Sequence, residues 1–264
     1  MAYSDELRLA IKCKPLGARE WVIEALERRG FLITHCENEI ALQIGSHDDD
    51  AAAFSETLSS AFLAGGGLVT FSDDKRKAAI DRWPVDGWAA FHAGVGGVPT
   101  WNGMAGPGYP GENVLTVKFG AKVPVRHLDA GVALLVKVMG ATGCLTWMSC
   151  DGHHALAGNP RLPAENAVIW FRSSSNLMWF KALLQAIHKN GFAASHWNFF
   201  PELNPMNCRV EICATEPGCA GLVERDNDIL AFARNLKSLA PDLRSQKHHW
   251  SLEDILKDRV NLVV

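Results

Sequence analysis

Four stretches of this chain repeat apolar residues at helical spacing, and each runs into a glycine, so every one of these helices must stop after a few turns and let the chain reverse. Trp21, Val22, Ala25 and Leu26 mark a helix over 18–29 that Gly30 ends. Phe54, Leu58, Phe62 and Leu63 precede Gly65 to Gly67. Leu128, Val132, Leu135, Val136 and Met139 precede Gly140 and Gly143, and Leu177, Phe180, Leu184 and Ile187 precede Gly191. A longer helical pattern occupies 222–239.

The intervals between these helices are short and read as strands. Leu7, Leu9 and Ile11 alternate with polar neighbours; 31–44 holds two strands turning near Glu37 and Asn38; 68–71, 114–119, 144–149, 167–171 and 207–213 are further strand patterns. Such an order predicts an α+β fold, a mixed sheet with helices packed mainly on one face. At 264 residues the chain has room for two lobes of similar size. The expected division is an N-terminal α/β lobe over 1–82, a Gly/Pro/Trp-rich linker or binding loop over 83–112, and a C-terminal α+β lobe over 113–264 that carries the candidate site. No fixed-period repeat is visible, but both lobes mix strands with helices as distant structural cousins would.

Composition narrows the function classes. Twenty-six basic residues against 29 acidic ones leave a formal charge of −3, so no global positive field draws the chain onto nucleic acid. No window approaches the ~20 apolar residues of a membrane span, and the start, with Asp5, Glu6 and Arg8, lacks the apolar core of a secretory signal. The seven cysteines form no regular framework, which predicts reduced, mostly buried thiols and a cytoplasmic protein.

The chemistry concentrates where the strand at 144–149 ends. Alternation puts Cys144, Thr146, Met148 and Cys150 on one face, and Gly152 permits a sharp reversal after it, so Asp151, His153 and His154 can converge on one point. Zinc accepts thiolate, imidazole and carboxylate and keeps one position for water when catalytic. Cys150, His153 and His154 are the expected local ligands and Cys208 the preferred distant one, with Cys213 and His196 also chemically competent. Asp151 or Glu211 would act as general base on a water whose pKa the metal lowers towards ~7. The expectation is a zinc-dependent hydrolase of unknown substrate.

The spacing matches neither a paired Cys-x-x-Cys ribbon nor a His-Glu-x-x-His helix, so other readings stand beside it. Cys150 could be a nucleophile activated by a neighbouring imidazole, or simply a core residue ahead of a turn. His127 and Asp129 lie near a helix start, where capping accounts for them, and they approach the cluster if that helix begins at the same sheet edge. His248 and His249 precede a capping-box pattern formed by Ser251 and Asp254. The rival function is a non-enzymatic binding protein for a small molecule, nucleotide, or peptide or protein partner. In it Trp88, Trp101 and Tyr109 stack on the ligand and Arg172 meets an anionic group.

Overall fold

The computed structural model describes residues 6–10, 18–35, 39–43, 48–64, 66–73, 78–82, 125, 128–152, 166–189, 191–202 and 207–246. The strand expected at 114–119 and the whole of 83–112 lie outside the described residues. The chain divides into two compact units, one from Met1–Tyr109 with Val123–Leu134, the other from Pro110–Lys122 with Leu135–Val264. The class is α+β. Every described strand pair is antiparallel, which corrects the expectation of a mixed sheet: the described sheets need no parallel crossover. Among the described residues, no helix is long and apolar enough to cross a membrane.

The first unit contains β1 (Glu6–Ala10), α1 (Ala18–Arg28), β2 (Leu32–His35), β3 (Glu39–Gln43), α2 (Asp48–Ala64), β4 (Leu68–Phe71) and β5 (Ala78–Arg82). Its three-stranded sheet has the order β1-β3-β2, and β4 pairs with β5. The stripe of α1 meets that of α2 through Trp21 and Phe62, whose rings are 5.0 Å apart edge to face. Phe54 joins Phe31 and Phe71 to the same core.

Helix α3 (Ala130–Ala141) follows, and the division between the units falls inside it. It is buried throughout 130–139, as its nearly unbroken apolar sequence requires. The second unit then runs through β6 (Thr146–Cys150), β7 (Asn166–Phe171), α4 (Ser174–Ile187), β8 (Ser195–Phe200), β9 (Arg209–Ala214) and α5 (Gly218–Gln246). Its four strands are ordered β6-β7-β9-β8.

The two units share a plan. Strand, helix, two strands and helix (β1-α1-β2-β3-α2) recur as β7-α4-β8-β9-α5, and in both the first strand pairs antiparallel with the third and the third with the second. This is the split β-α-β pattern. In the second unit β6 adds to the free side of β7.

Helices α4 and α5 lie on one face of the second sheet. Phe180 of α4 packs against Phe171 at 5.3 Å and Phe232 of α5 at 5.6 Å, and Trp197 of β8 touches both Phe180 and Phe232. On the same side, Ser195 Oγ receives a hydrogen bond from Trp197 Nε1 at 3.0 Å and donates to Asp228 of α5 at 2.8 Å. Burial pushes the Asp228 carboxyl above the ordinary range, against the pull of the Ser195 hydroxyl and the Ala194 N–H.

Arg225 of α5 is fully buried. Its Nε and Nη2 donate to Asp226 Oδ1 at 2.9 and 2.7 Å, and Nη2 also donates to the Asp151 carbonyl at 3.0 Å. Removing one member of a buried ion pair strands the other. Arg225→Met should therefore cost about 3–5 kcal/mol in urea denaturation, partly recovered when Asp226 is also made apolar. A loss below about 1 kcal/mol would show that the pair bears no such weight.

Burial holds the His188 imidazole, at the end of α4, below the usual histidine range; its ring packs on Phe192 at 4.2 Å. A depressed folded pKa contributes stability above the unfolded value of ~6.5 that is lost as pH falls through the folded one. Lowering the pH from about 7.5 to about 5.5 should shrink the stability advantage of the wild type over His188→Phe, measured by urea midpoints at each pH. A pH-independent difference would contradict it.

Candidate metal centre

A helix followed by a strand of matched length returns the chain to where it began. Twelve residues of α3 span about 18 Å and five of β6 about 17 Å. The turn between them is tight because Cys144 N donates to Met139 O at 2.9 Å and Gly143 N to Gly140 O at 3.1 Å, the paired bonds of a Schellman cap. Gly143, at φ +81°, occupies the left-handed position this cap demands.

Where the hairpin closes, Asp129 from the start of α3 and Cys150 and Asp151 from the end of β6 each offer one ligand atom, and the three atoms lie within 4.8 Å of one another. Asp151 and Cys150 are buried and Asp129 partly so. Both ends of the hairpin are tied by buried arginines. Arg29 donates from Nη1 to the Val125 and Leu128 carbonyls, the latter at 2.6 Å and immediately before Asp129, and Arg225 holds the Asp151 carbonyl.

After Cys150 the chain turns at Gly152, φ +93°, whose N–H donates to Cys150 Sγ at 3.4 Å. A Cβ there would stand 2.7 Å from the Asn166 carbonyl oxygen. The reversal expected at this glycine is present, and it is what leaves the sulfur beside the Asp151 carboxylate.

The sheet separates other residues expected in the cluster. Cys150 pairs with Val168 and Val168 with Glu211, so Cys150 and Glu211 share a row of one face but stand two strands apart, about 10 Å. Glu211 is engaged by Arg209 Nε at 2.7 Å, and a general base needs reach of about 3 Å. Cys208 falls on the opposite face: its carbonyl accepts from Phe171 N in register with the buried Val210 and Ile212, and its thiol donates to the Glu202 carbonyl at 2.8 Å. The structure thus brings neither residue to Cys150.

Cys213 shares the face of Glu211, and Asn198 Nδ2 donates to its sulfur at 3.7 Å. Burial and then the Glu211 charge push its thiol up, outweighing Asn198 and Arg225, which keeps it protonated. His196 is exposed on β8. Arg172 follows the far end of β7, where its N–H donates to the Leu145 carbonyl before β6 begins, so a strand length separates it from Cys150. Trp88, Trp101, Tyr109, His127, His153, His154, His248 and His249 lie outside the described residues.

One expected alternation needs correction. A bulge between Thr146 and Met148 pairs Thr146 with Phe171 but Met148 with Trp170, so Thr146 faces away from Met148 and Cys150. The residues that complete the centre, Asp129 and Arg225, carried little signal. Asp129 reads as a helix start and Arg225 as one more charge on a helix; only the equal reach of α3 and β6 points to the first. No protein-family model, curated protein or solved structure matches this chain.

The tight fit at Gly152 gives a comparative expectation. Gly152→Ala adds a backbone clash to a left-handed conformation, whereas Gly191→Ala, at φ +71° with nothing within 4 Å, adds the conformational cost alone. The second should cost about 1–2 kcal/mol and the first clearly more, read from urea midpoints. Equal losses would mean that the Asn166 carbonyl does not confine the turn.

Proposed function

We propose that this chain is a metal-dependent hydrolase in which Asp129, Cys150 and Asp151 hold one divalent ion. The observation that carries the reading is the convergence of a thiol and two carboxylates within 4.8 Å at the closed end of one helix–strand hairpin. Thiolate favours zinc over magnesium or calcium, and carboxylate is compatible with zinc, so zinc is the ion we assign. Three protein donors would leave such an ion a position for water, as catalytic rather than structural zinc sites do.

A zinc ion held by Asp129, Cys150 and Asp151 would supply a water that is acidic near neutral pH, and the Asp151 carboxylate would be the group placed to accept its proton. The N–H of Gly152, directed at Cys150 Sγ, suits a sulfur that accepts hydrogen bonds, as a thiolate ligand does. Arg225 fixes the Asp151 backbone from behind without competing for its carboxylate through that bond. This is the support a ligand needs from its surroundings.

Protein purified without an affinity tag should contain about one zinc per chain by elemental analysis. Asp129→Asn and Cys150→Ser should each lose it, while circular dichroism shows the fold retained. Chelation should lower the melting temperature of the wild type, and zinc at a hundredfold excess over its Kd should restore about 2.7 kcal/mol. Folded wild-type protein that neither contains nor takes up zinc would sink the metal reading. Zinc uptake with no chelator-sensitive turnover across ester, amide and phosphoester panels would sink the hydrolytic one.

A further inference from the structure

We infer that the outer edge of β8 and the overhanging face of α4 form a docking groove for an extended acidic peptide, which adds to the second sheet as a fifth strand. The groove is a cleft of about 660 Å³, lined on one side by β8 and on the other by Lys181, Leu184 and Gln185 of α4 with His188 and Lys189 just past its end. Lys181, Leu184 and Gln185 share one face of α4, which runs alongside the strand, and the turn after the helix carries His188 and Lys189.

The hydrogen-bond phase of β8 shows which groups are free. Thr215 N donates to Ala194 O at 3.0 Å, and pairs two residues apart alternate from there, so His196, Asn198 and Phe200 bond to β9 while Ser195, Trp197 and Phe199 turn their N–H and C=O groups outward. The β7–β9 ladder is in the complementary phase: Phe171 N donates to Cys208 O, which commits even-numbered residues of β9 to β7 and odd-numbered ones to β8. Among the described residues β8 has β9 as its one strand neighbour. An exposed edge of this kind is a template for another strand.

Charge selects the occupant. Lys181 and Lys189 line the cleft, Lys181 lying over the Phe199 ring at 5.4 Å, and no acidic residue is among its described lining. A second copy presenting its own β8 would bring the same lysines into one groove, where like charges repel. A peptide carrying Glu or Asp on alternate positions sets them on the α4 face beside Lys181 and Lys189, and its intervening side chains lie on the opposite face, in line with His196, Asn198 and Phe200. This groove is separate from the proposed metal centre, and its test does not depend on zinc.

The test is fluorescence anisotropy of the full chain with labelled peptides long enough to pair all of β8: one alternating Glu and Val, one alternating Lys and Val, and the Glu peptide N-methylated on alternate amides in each phase. The Glu peptide should bind at least about tenfold more tightly than the Lys peptide. N-methylation in one phase but not the other should weaken it about tenfold, a dependence that side-chain attraction alone does not give. Lys181→Glu with Lys189→Glu, both near the surface, should reverse the peptide preference. Absence of binding by the Glu peptide, equal binding of both charges, or indifference to N-methylation in both phases would each overturn the proposal. So would a chain that sediments as a dimer which the double charge reversal dissolves without any peptide, since the edge would then serve a second copy.

Discussion

A guanidinium with no exposed surface has to find its partners inside the protein, and the second unit is arranged around the partners Arg225 finds. One is Asp226, its neighbour in sequence, which offsets the charge. Another is the Asp151 carbonyl, 74 residues earlier, which ties α5 to the strand end where the candidate ligands sit. Burying a paired charge gains little net stability over an apolar pair of the same shape, but an arrangement that misplaces either partner is strongly penalised. The bond therefore acts mainly as a selector. It accepts the register in which β6 ends at Cys150 and the chain turns at Gly152, and it rejects neighbouring registers that would remove the carbonyl.

The same selection operates at the other end of the hairpin through Arg29, which binds two carbonyls just before Asp129. Neither arginine presents its charge to the ligand group through these bonds; both hold backbone. The thiol and two carboxylates stand close together, and a cation bound among them would offset the repulsion of their charged forms. We read the grouping as a metal centre because a thiol and two carboxylates are donors that zinc accepts.

Much of this was legible in the residues, and the failures have physical causes. Gly30 and Gly143 end their helices in the same capping motif because an apolar stripe followed by glycine permits little else. Strand β8, with the sequence SHWNFF, carried no clear expectation: it is an edge strand, so its outward residues are polar or aromatic by position and its core face is read only against α5. The alternation in β6 misled at Thr146 because a bulge adds a residue without any change in composition. Cys208 and Glu211 looked like partners of Cys150 because all three suit a metal. A sheet sorts residues by parity and row, and that sorting depends on a pairing order no single strand contains.

The repeated plan of the two units explains why an edge is left over at all. In a split β-α-β arrangement the third strand is central and the second is terminal, so the second strand has one neighbour unless something is added. In the second unit the addition, β6, falls on the opposite side, next to β7, and among the described residues β8 keeps its edge. Proteins often blunt such edges with charge on the strand itself, yet β8 carries no lysine, arginine or acidic residue; the lysines stand across the cleft, on α4 and on the turn that follows it. Charge placed on the strand would block every newcomer. Charge placed opposite it discourages a second copy while leaving the backbone accessible to a strand of the complementary sign, so the location of the lysines, more than their number, gives this edge its selectivity.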